Sequence, residues 1–151
     1  ELYLNANAIE KIDSLETLKS LKVLWLQQNR LSVVEGLGAL TELRSLSLAA
    51  NKIASVGTAL SNLRKLEELN LSANELSGFR DILPLAALPN LEKLWFADAL
   101  YGSNPLCALS NYQTFTLFTL RRLKQLDYQP VSMDQRTMAE STFIKKKIYY
   151  N

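Results

Sequence analysis

Leu46-Ser47-Leu48-Ala49-Ala50-Asn51-Lys52-Ile53 decides how this chain folds. Two leucines flanking one small residue have the period of a short strand with a single buried face. The asparagine that follows carries both donors and acceptors to the turn. On the N-terminal side the pattern recurs as Leu24-Trp25-Leu26-Gln27-Gln28-Asn29-Arg30-Leu31, and before that as Leu2-Tyr3-Leu4-Asn5-Ala6-Asn7-Ala8-Ile9. On the C-terminal side it recurs as Leu69-Asn70-Leu71-Ser72-Ala73-Asn74-Glu75-Leu76. Asn7, Asn29, Asn51 and Asn74 are spaced by 22, 22 and 23 residues. No single unit of this length can bury its own leucines, so neighbouring units must stack into a solenoid.

Each part of the unit has a physical task. Stacked at one corner, the asparagines can pair backbone groups that the turn leaves open, each of which would cost about 1–3 kcal/mol if buried without a partner. Ile9 and Ile12, Leu31 and Val34, Ile53 and Val56, and Leu76 and Phe79 then carry the chain over the core. Segments such as Leu15-Glu16-Thr17-Leu18 and Leu37-Gly38-Ala39-Leu40 return it along the convex side in one or two turns of 3₁₀ type. The fourth unit is lengthened around Arg80-Asp81-Ile82-Leu83-Pro84, which should bulge the convex side. In a degraded fifth copy, Leu91 to Ala99, the asparagine position holds Ala99, so the strand is expected to survive and the asparagine turn to be lost.

These units resemble the 22-residue leucine-rich repeat class of intracellular adaptors. That class includes a regulatory subunit of protein phosphatase 1, an axonemal dynein light chain and the A-prime protein of a spliceosomal particle. The resemblance implies an α/β solenoid: a right-handed superhelix with a concave parallel β-sheet, a short 3₁₀ or helical convex side and a helical C-terminal cap. Asn104-Pro105-Leu106-Cys107 followed by Leu120-Arg121-Arg122-Leu123-Lys124-Gln125-Leu126-Asp127 looks like the cap of this family. A cap covers the apolar side chains and open sheet edge of the last repeat. Tyr112, Phe115, Leu117 and Phe118 are read as the apolar face of a cap helix. Ser132 and Gln135 have capping-box spacing and start a terminal helix through Ala139, Phe143 and Ile144. The expected organisation is repeats over 1–98, about five with the first truncated, the cap over 99–131 and the terminal helix over 132–151. The ending Lys-Lys-Ile-Tyr-Tyr-Asn is similar to that of large multi-repeat proteins associated with cilia. The opening Glu1-Leu2-Tyr3-Leu4, without an initiator methionine or signal peptide, reads as a longer protein entered partway through a repeat.

Composition narrows the function. The 151 residues are 48% hydrophobic, enough for a core in one domain, and the net charge is only +2. That balance argues against a general nucleic-acid binder, which needs a basic face. No apolar run reaches the length of a membrane span, about 18 residues. The absence of histidine removes the commonest general base and metal ligand. There is neither a Gly-x-Gly-x-x-Gly fingerprint nor a phosphate-binding Gly-Lys-Ser/Thr loop. Cys107 is alone and reads as a reduced thiol packed in an intracellular protein. The expectation is a non-enzyme with no metal or cofactor.

The strand period also places a surface. The residue between the two leucines points away from the core, onto the concave face, and that column is Tyr3, Trp25, Ser47, Asn70 and Trp95. The column two residues earlier holds Glu1, Val23, Ser45, Glu68 and Lys93, and the column two residues later Asn5, Gln27, Ala49, Ser72 and Ala97. Three large aromatics are therefore expected to face water, although a tryptophan here can also merely cover neighbouring strands. Exposed aromatics are enriched among interface anchors. Three strand steps of about 4.8 Å separate Trp25 from Trp95 by roughly 14 Å, and a helix with side chains is about 10–12 Å across. A partner helix or tight loop could thus lie on a serine–alanine floor between aromatic walls. The expected protein-binding residues are Tyr3, Val23, Trp25, Gln27, Ser47, Glu68, Asn70, Lys93, Trp95 and Asp98. Two other readings stand: an adaptor in a ribonucleoprotein assembly whose basic tail, Lys145-Lys146-Lys147 with Tyr149 and Tyr150, touches RNA, or a structural spacer in a longer array. That tail also suits a solvated helix end, where lysines favour the dipole. The expected setting is intracellular and cytoplasmic, with the cilium or cytoskeleton as candidates, and the chain is expected to be a monomer.

Overall fold

The computed structural model describes residues 1–150, with side chains through Lys145. Each Leu-x-Leu unit forms one very short strand: β1 (Leu2–Tyr3), β2 (Val23–Trp25), β3 (Ser45–Ser47), β4 (Glu68–Asn70) and β5 (Lys93–Trp95). They pair in parallel and in strict register, so that Leu2, Leu24, Leu46, Leu69 and Leu94 form one row and Tyr3, Trp25, Ser47, Asn70 and Trp95 the next. From Leu24 onward the leucine row is completely buried, as are Leu26, Leu48, Leu71 and Phe96 two residues further along each unit. The core is a column of like side chains stacked repeat on repeat.

A ladder of asparagines holds the corner. Asn51 donates from Nδ2 to the carbonyls of Leu26 at 3.1 Å and Leu48 at 3.0 Å, while its Oδ1 accepts the Leu31 N–H at 3.0 Å. Asn29 does the same for Leu4, Leu26 and the Ile9 N–H, and Asn74 for Leu48, Leu71 and the Ile53 N–H. Every one of these asparagines thus ties its own repeat to the one before. The preceding residues Ala6, Gln28, Ala50 and Ala73 all sit at positive φ between 51° and 59°, the left-handed step that swings the chain off the strand.

The fifth repeat departs from expectation. Ala99 does not end the ladder, because Asn104 takes the next rung. Its Nδ2 donates to Leu71 O at 2.7 Å and Phe96 O at 2.9 Å, and its Oδ1 accepts the Leu76 N–H at 3.0 Å. The intervening residues loop out as a small antiparallel hairpin of β6 (Ala97–Asp98) and β7 (Gly102–Ser103). The expected boundary at residue 98 therefore falls inside a hairpin, and Asn104-Pro105-Leu106 completes the repeat before the cap starts.

The convex side is made of tight turns, such as Leu18 N to Leu15 O and Leu40 N to Leu37 O, each at 3.0 Å. Continuous 3₁₀ segments occur in the lengthened fourth repeat, at Phe79–Asp81 and Leu83–Ala87, and at Pro105–Ala108. Ile82 is fully buried there, while Phe79 is only half-buried and stacks on Phe115 of the cap at 4.6 Å. Gly36 has φ +70°, and a Cβ at that position would lie 2.6 Å from the Ile12 carbonyl oxygen, so this turn requires glycine.

The cap continues the sheet. Helix α1 (Tyr112–Thr119) is followed by β8 (Gln125–Leu126), parallel to β5, and β9 (Gln129–Pro130), which folds back antiparallel on β8 as the last strand. A proline on that outer strand, with no N–H to offer, blunts the edge. Asp127 between β8 and β9 accepts the N–H groups of Phe96 at 2.7 Å and Ala97 at 3.0 Å, and the Tyr112 hydroxyl at 2.8 Å. Helix α2 (Met133–Tyr150) starts with the expected capping box: the Ser132 N–H donates to Gln135 Oε1 at 2.9 Å, and the Gln135 N–H to Ser132 Oγ at 3.2 Å. Although its apolar residues are scattered around the wheel, α2 docks on α1. Ala139 is fully buried, and the Phe143 ring lies 5.4 Å from Phe115 and 5.3 Å from Phe118.

Candidate concave binding site

The register of β1 to β5 lines up Tyr3, Trp25, Ser47, Asn70 and Trp95 on the concave face. Tyr3 and Trp25 pack against each other, ring centroids 4.7 Å apart, and remain open to solvent, with Trp25 40% exposed. The Tyr3 hydroxyl donates to the Glu1 carboxylate, which raises its pKa. At the other end Trp95 is only partly exposed, because Tyr128 from the cap stands edge-on to it at 5.6 Å. Ser45 and Ser47 form the floor between the two walls, and the groove measures about 360 Å³. Val23 lies beside Ser45 at the start of β2, partly exposed.

Three expectations need correction. Gln27, Ala49 and Ser72 do not project onto the open face; all are buried, Gln27 at 7% exposure. The chain has already left the strand by then, and the left-handed residue that follows turns this column into the corner beside the asparagines. Asp98 is likewise buried, at the groove wall instead of on an open surface. Trp95 is not free, since the cap covers one edge of it.

Glu68 and Lys93 are not independent contacts. Lys93 Nζ lies 2.9 Å from Glu68 Oε1, and this pairing raises the lysine pKa. Asp98 is held differently. Its Oδ1 accepts the N–H groups of Leu100 at 2.7 Å and Tyr101 at 3.3 Å, and its Oδ2 accepts the Tyr128 hydroxyl at 2.6 Å. Burial alone would raise its pKa, but these hydrogen bonds and the Asn70 amide hold it below the ordinary carboxylate value. The same bond, with some burial, pushes Tyr128 up to about 12. Two buried side-chain atoms of the groove residues lack a hydrogen-bond partner among the described residues: Gln27 Oε1 and Trp95 Nε1. Among those residues no group of three Cys, Asp or Glu side chains is placed to hold a metal ion.

The structure adds wall residues that the strand period did not place: Tyr128, Leu100 and Tyr101. Leu100 at the hairpin tip is 80% exposed. Its trace in the sequence is the match of Asn104-Pro105-Leu106 to Asn51-Lys52-Ile53 after a longer interval, which marks an insertion. Tyr128 left no trace, since it depends on the cap folding back.

A leucine-rich repeat family profile matches residues 1–149 of this sequence. The chain belongs to the leucine-rich repeat family. Among curated proteins it is 30% identical to U2 small nuclear ribonucleoprotein A′ of Arabidopsis thaliana, over 97% of this chain and 58% of that protein. It is 36% identical to dynein axonemal light chain 1 of Chlamydomonas reinhardtii, over 87% of this chain and 79% of that protein. The chain thus spans under three fifths of the ribonucleoprotein relative's length. Among solved structures, the Drosophila melanogaster SNF/U2A′ complex contains a chain that superposes with a TM-score of 0.86 at 25% identity, covering 95% of this leucine-rich repeat chain and 81% of that one. No described helix of this repeat protein is long and apolar enough to cross a membrane.

Proposed function

We propose that this leucine-rich repeat chain is a non-catalytic protein-interaction scaffold that seats a partner helix or tight loop on its concave face. The observation that carries the reading is the pair of aromatic walls, Tyr3 with Trp25 and Trp95 with Tyr128, standing on either side of a small serine floor. Aromatic anchors around a low floor fit helix-in-groove recognition. Val23, Glu68, Asn70 and Lys93 supply the polar and apolar rim, and Gln27 and Asp98 act from buried positions. That a solved relative is a complex of U2A′ with SNF supports a binding role. The test uses affinity-purified complexes, with the captured protein then made alone and titrated. Trp25→Ala should weaken its binding about thirtyfold and Ser47→Arg should abolish it, while Lys65→Ala, outside the groove lining and paired with Glu42, leaves it unchanged. Equal binding by wild type and all three variants would overturn the concave site.

A second reading, an adaptor in a ribonucleoprotein assembly, draws on the identity to the U2 A′ protein along nearly the whole chain. Its RNA contact would involve the tail at Lys145-Lys146-Lys147 with Tyr149 and Tyr150, of which all but Lys145 lie outside the residues whose side chains are described. Phosphate contacts make affinity fall steeply with salt, so RNA titrations at two ionic strengths separate this reading from the first; salt-insensitive or absent binding removes it. The axonemal relative supports an intracellular setting at a cilium or the cytoskeleton, which imaging of the tagged protein in ciliated cells would check.

A further inference from the structure

We propose that the partner segment seated in the concave groove carries a basic side chain, lysine or arginine, whose charged head docks at Asp98 between the Trp95–Tyr128 wall and the serine floor. This rests on the concave-face reading above and specifies the chemistry of the occupant.

The charge pattern is the first support. Among the described residues, Glu68 and Asp98 are the ionisable carboxylates lining the groove, and no lysine or arginine lines it. Glu68 is neutralised by Lys93 at 2.9 Å. Asp98 takes part in none of the four ion pairs formed among the described residues. Its donors there are neutral: two backbone N–H groups, a tyrosine hydroxyl and, more loosely, the Asn70 amide. A buried carboxylate is ordinarily paired with a cation, whereas Asp98 is held by neutral donors and has no cationic partner among the described residues. A carboxylate has about four lone-pair sites, and the close hydrogen bonds to Asp98 number three, two at Oδ1 and one at Oδ2 from the Tyr128 hydroxyl, so by count a site is left for the N–H of the occupant.

The second support is independent of charge. Gln27, at 7% exposure, lines the other end of the groove with Oε1 unpartnered. Gln27 Oε1 calls for a donor from the occupant, as Asp98 does, while the unpartnered Trp95 Nε1 calls for an acceptor, which the backbone carbonyls of a peptide supply. The aromatic faces of Trp25 and Trp95 add to this, because a guanidinium or ammonium group is attracted to indole faces within about 6 Å. An acidic or purely aliphatic occupant would leave Asp98 buried without a counter-charge.

The test is a random peptide-display selection against the full chain, with each enriched peptide re-measured against Ser47→Arg and Asp98→Asn. The amide oxygen of the Asp98→Asn variant can still accept from Leu100 and Tyr101, and thermal melting would verify that the variant is folded. Expected are peptides that lose binding to Ser47→Arg, share a lysine or arginine at one position, and weaken tenfold or more with Asp98→Asn. Replacing that arginine with neutral, isosteric citrulline should weaken binding similarly, and the two changes together should cost much less than their product. Groove-dependent peptides without a shared basic residue, or indifferent to Asp98→Asn, would overturn the basic anchor while leaving the groove intact. If no selected peptide depends on Ser47, the concave-face reading itself fails.

Discussion

Asn104 donates to the Leu71 carbonyl at 2.7 Å, the same carbonyl that Asn74 holds at 3.0 Å. Two asparagines from successive repeats thus share one acceptor, and the same sharing occurs at Leu26, held by Asn29 and Asn51, and at Leu48, held by Asn51 and Asn74. The hairpin inserted before Asn104 changes the length of the fifth repeat without breaking the ladder.

Removing a buried rung should therefore destabilise the fold wherever it sits. Asn51→Ala and Asn104→Ala are each expected to cost about 1–3 kcal/mol, because each strands buried backbone groups. Asn7→Ala should stay within about 0.5 kcal/mol, since Asn7 is exposed and its hydrogen bonds among the described residues go to its own turn, at Leu4 O and Asn5 O. Urea unfolding of the three variants measures the contrast; equal losses would refute the bracket role.

The two tryptophans should separate. Trp25→Ala is expected to change stability by less than about 1 kcal/mol, because the side chain is exposed and its ring contact is with exposed Tyr3. Trp95→Ala also loses the edge-on contact with Tyr128, worth about 0.5–1.5 kcal/mol beyond area, and should be the less stable of the two. Both should weaken partner binding about thirtyfold, the effect of about 2 kcal/mol at a hot spot. Circular dichroism melts beside binding titrations would check the order.

A chain ending at Phe96 should aggregate or fail to fold cooperatively. It loses β8, which pairs with β5, and the Asp127 carboxylate that accepts the Phe96 N–H. The uncovered edge and the freed leucines would seek other partners. Sedimentation of a monodisperse, cooperatively melting species would contradict the capping argument.

Alkaline pH should expose the Tyr128–Asp98 bond. Tyr128 ionises near 10 when unfolded but at about 12 in the folded chain, raised by the hydrogen bond to Asp98 and then by burial. A group whose folded pKa is raised stabilises fully below its unfolded pKa and loses that contribution as pH climbs through the folded value. Wild type should thus exceed Tyr128→Phe in melting temperature by a margin that is constant below about pH 10 and shrinks towards about pH 12. Tyr112, raised by burial and by its bond to Asp127, shifts the same way, so Tyr112→Phe serves as the parallel case. A margin that does not change with pH would mean that the hydroxyl does not hold Asp98.

The solenoid, the register and the concave tryptophan column were legible in the residue pattern. Leu-x-Leu alternation and the asparagine turn are local rules, and repetition multiplies them until only one stacking satisfies every unit; Leu24, Leu46, Leu69 and Leu94 had no other place to go. The capping box at Ser132 and Gln135 was legible for the same reason, being a contact across one turn. The remaining features depend on contacts between distant parts of the chain. Gln27 reads as a surface residue when strand alternation is carried past the point where the chain turns inward, and the burial of Asp98 depends on the hairpin and on Tyr128 from the cap. Ala99 aligns to the asparagine position only while the repeat length is held constant, whereas hydrogen bonding tolerates a loop that returns Asn104 to the Leu71 carbonyl. The wall that completes the groove, Tyr128 against Trp95 and Asp98, joins residues about thirty positions apart through the cap's fold-back, and no local period encodes such a meeting.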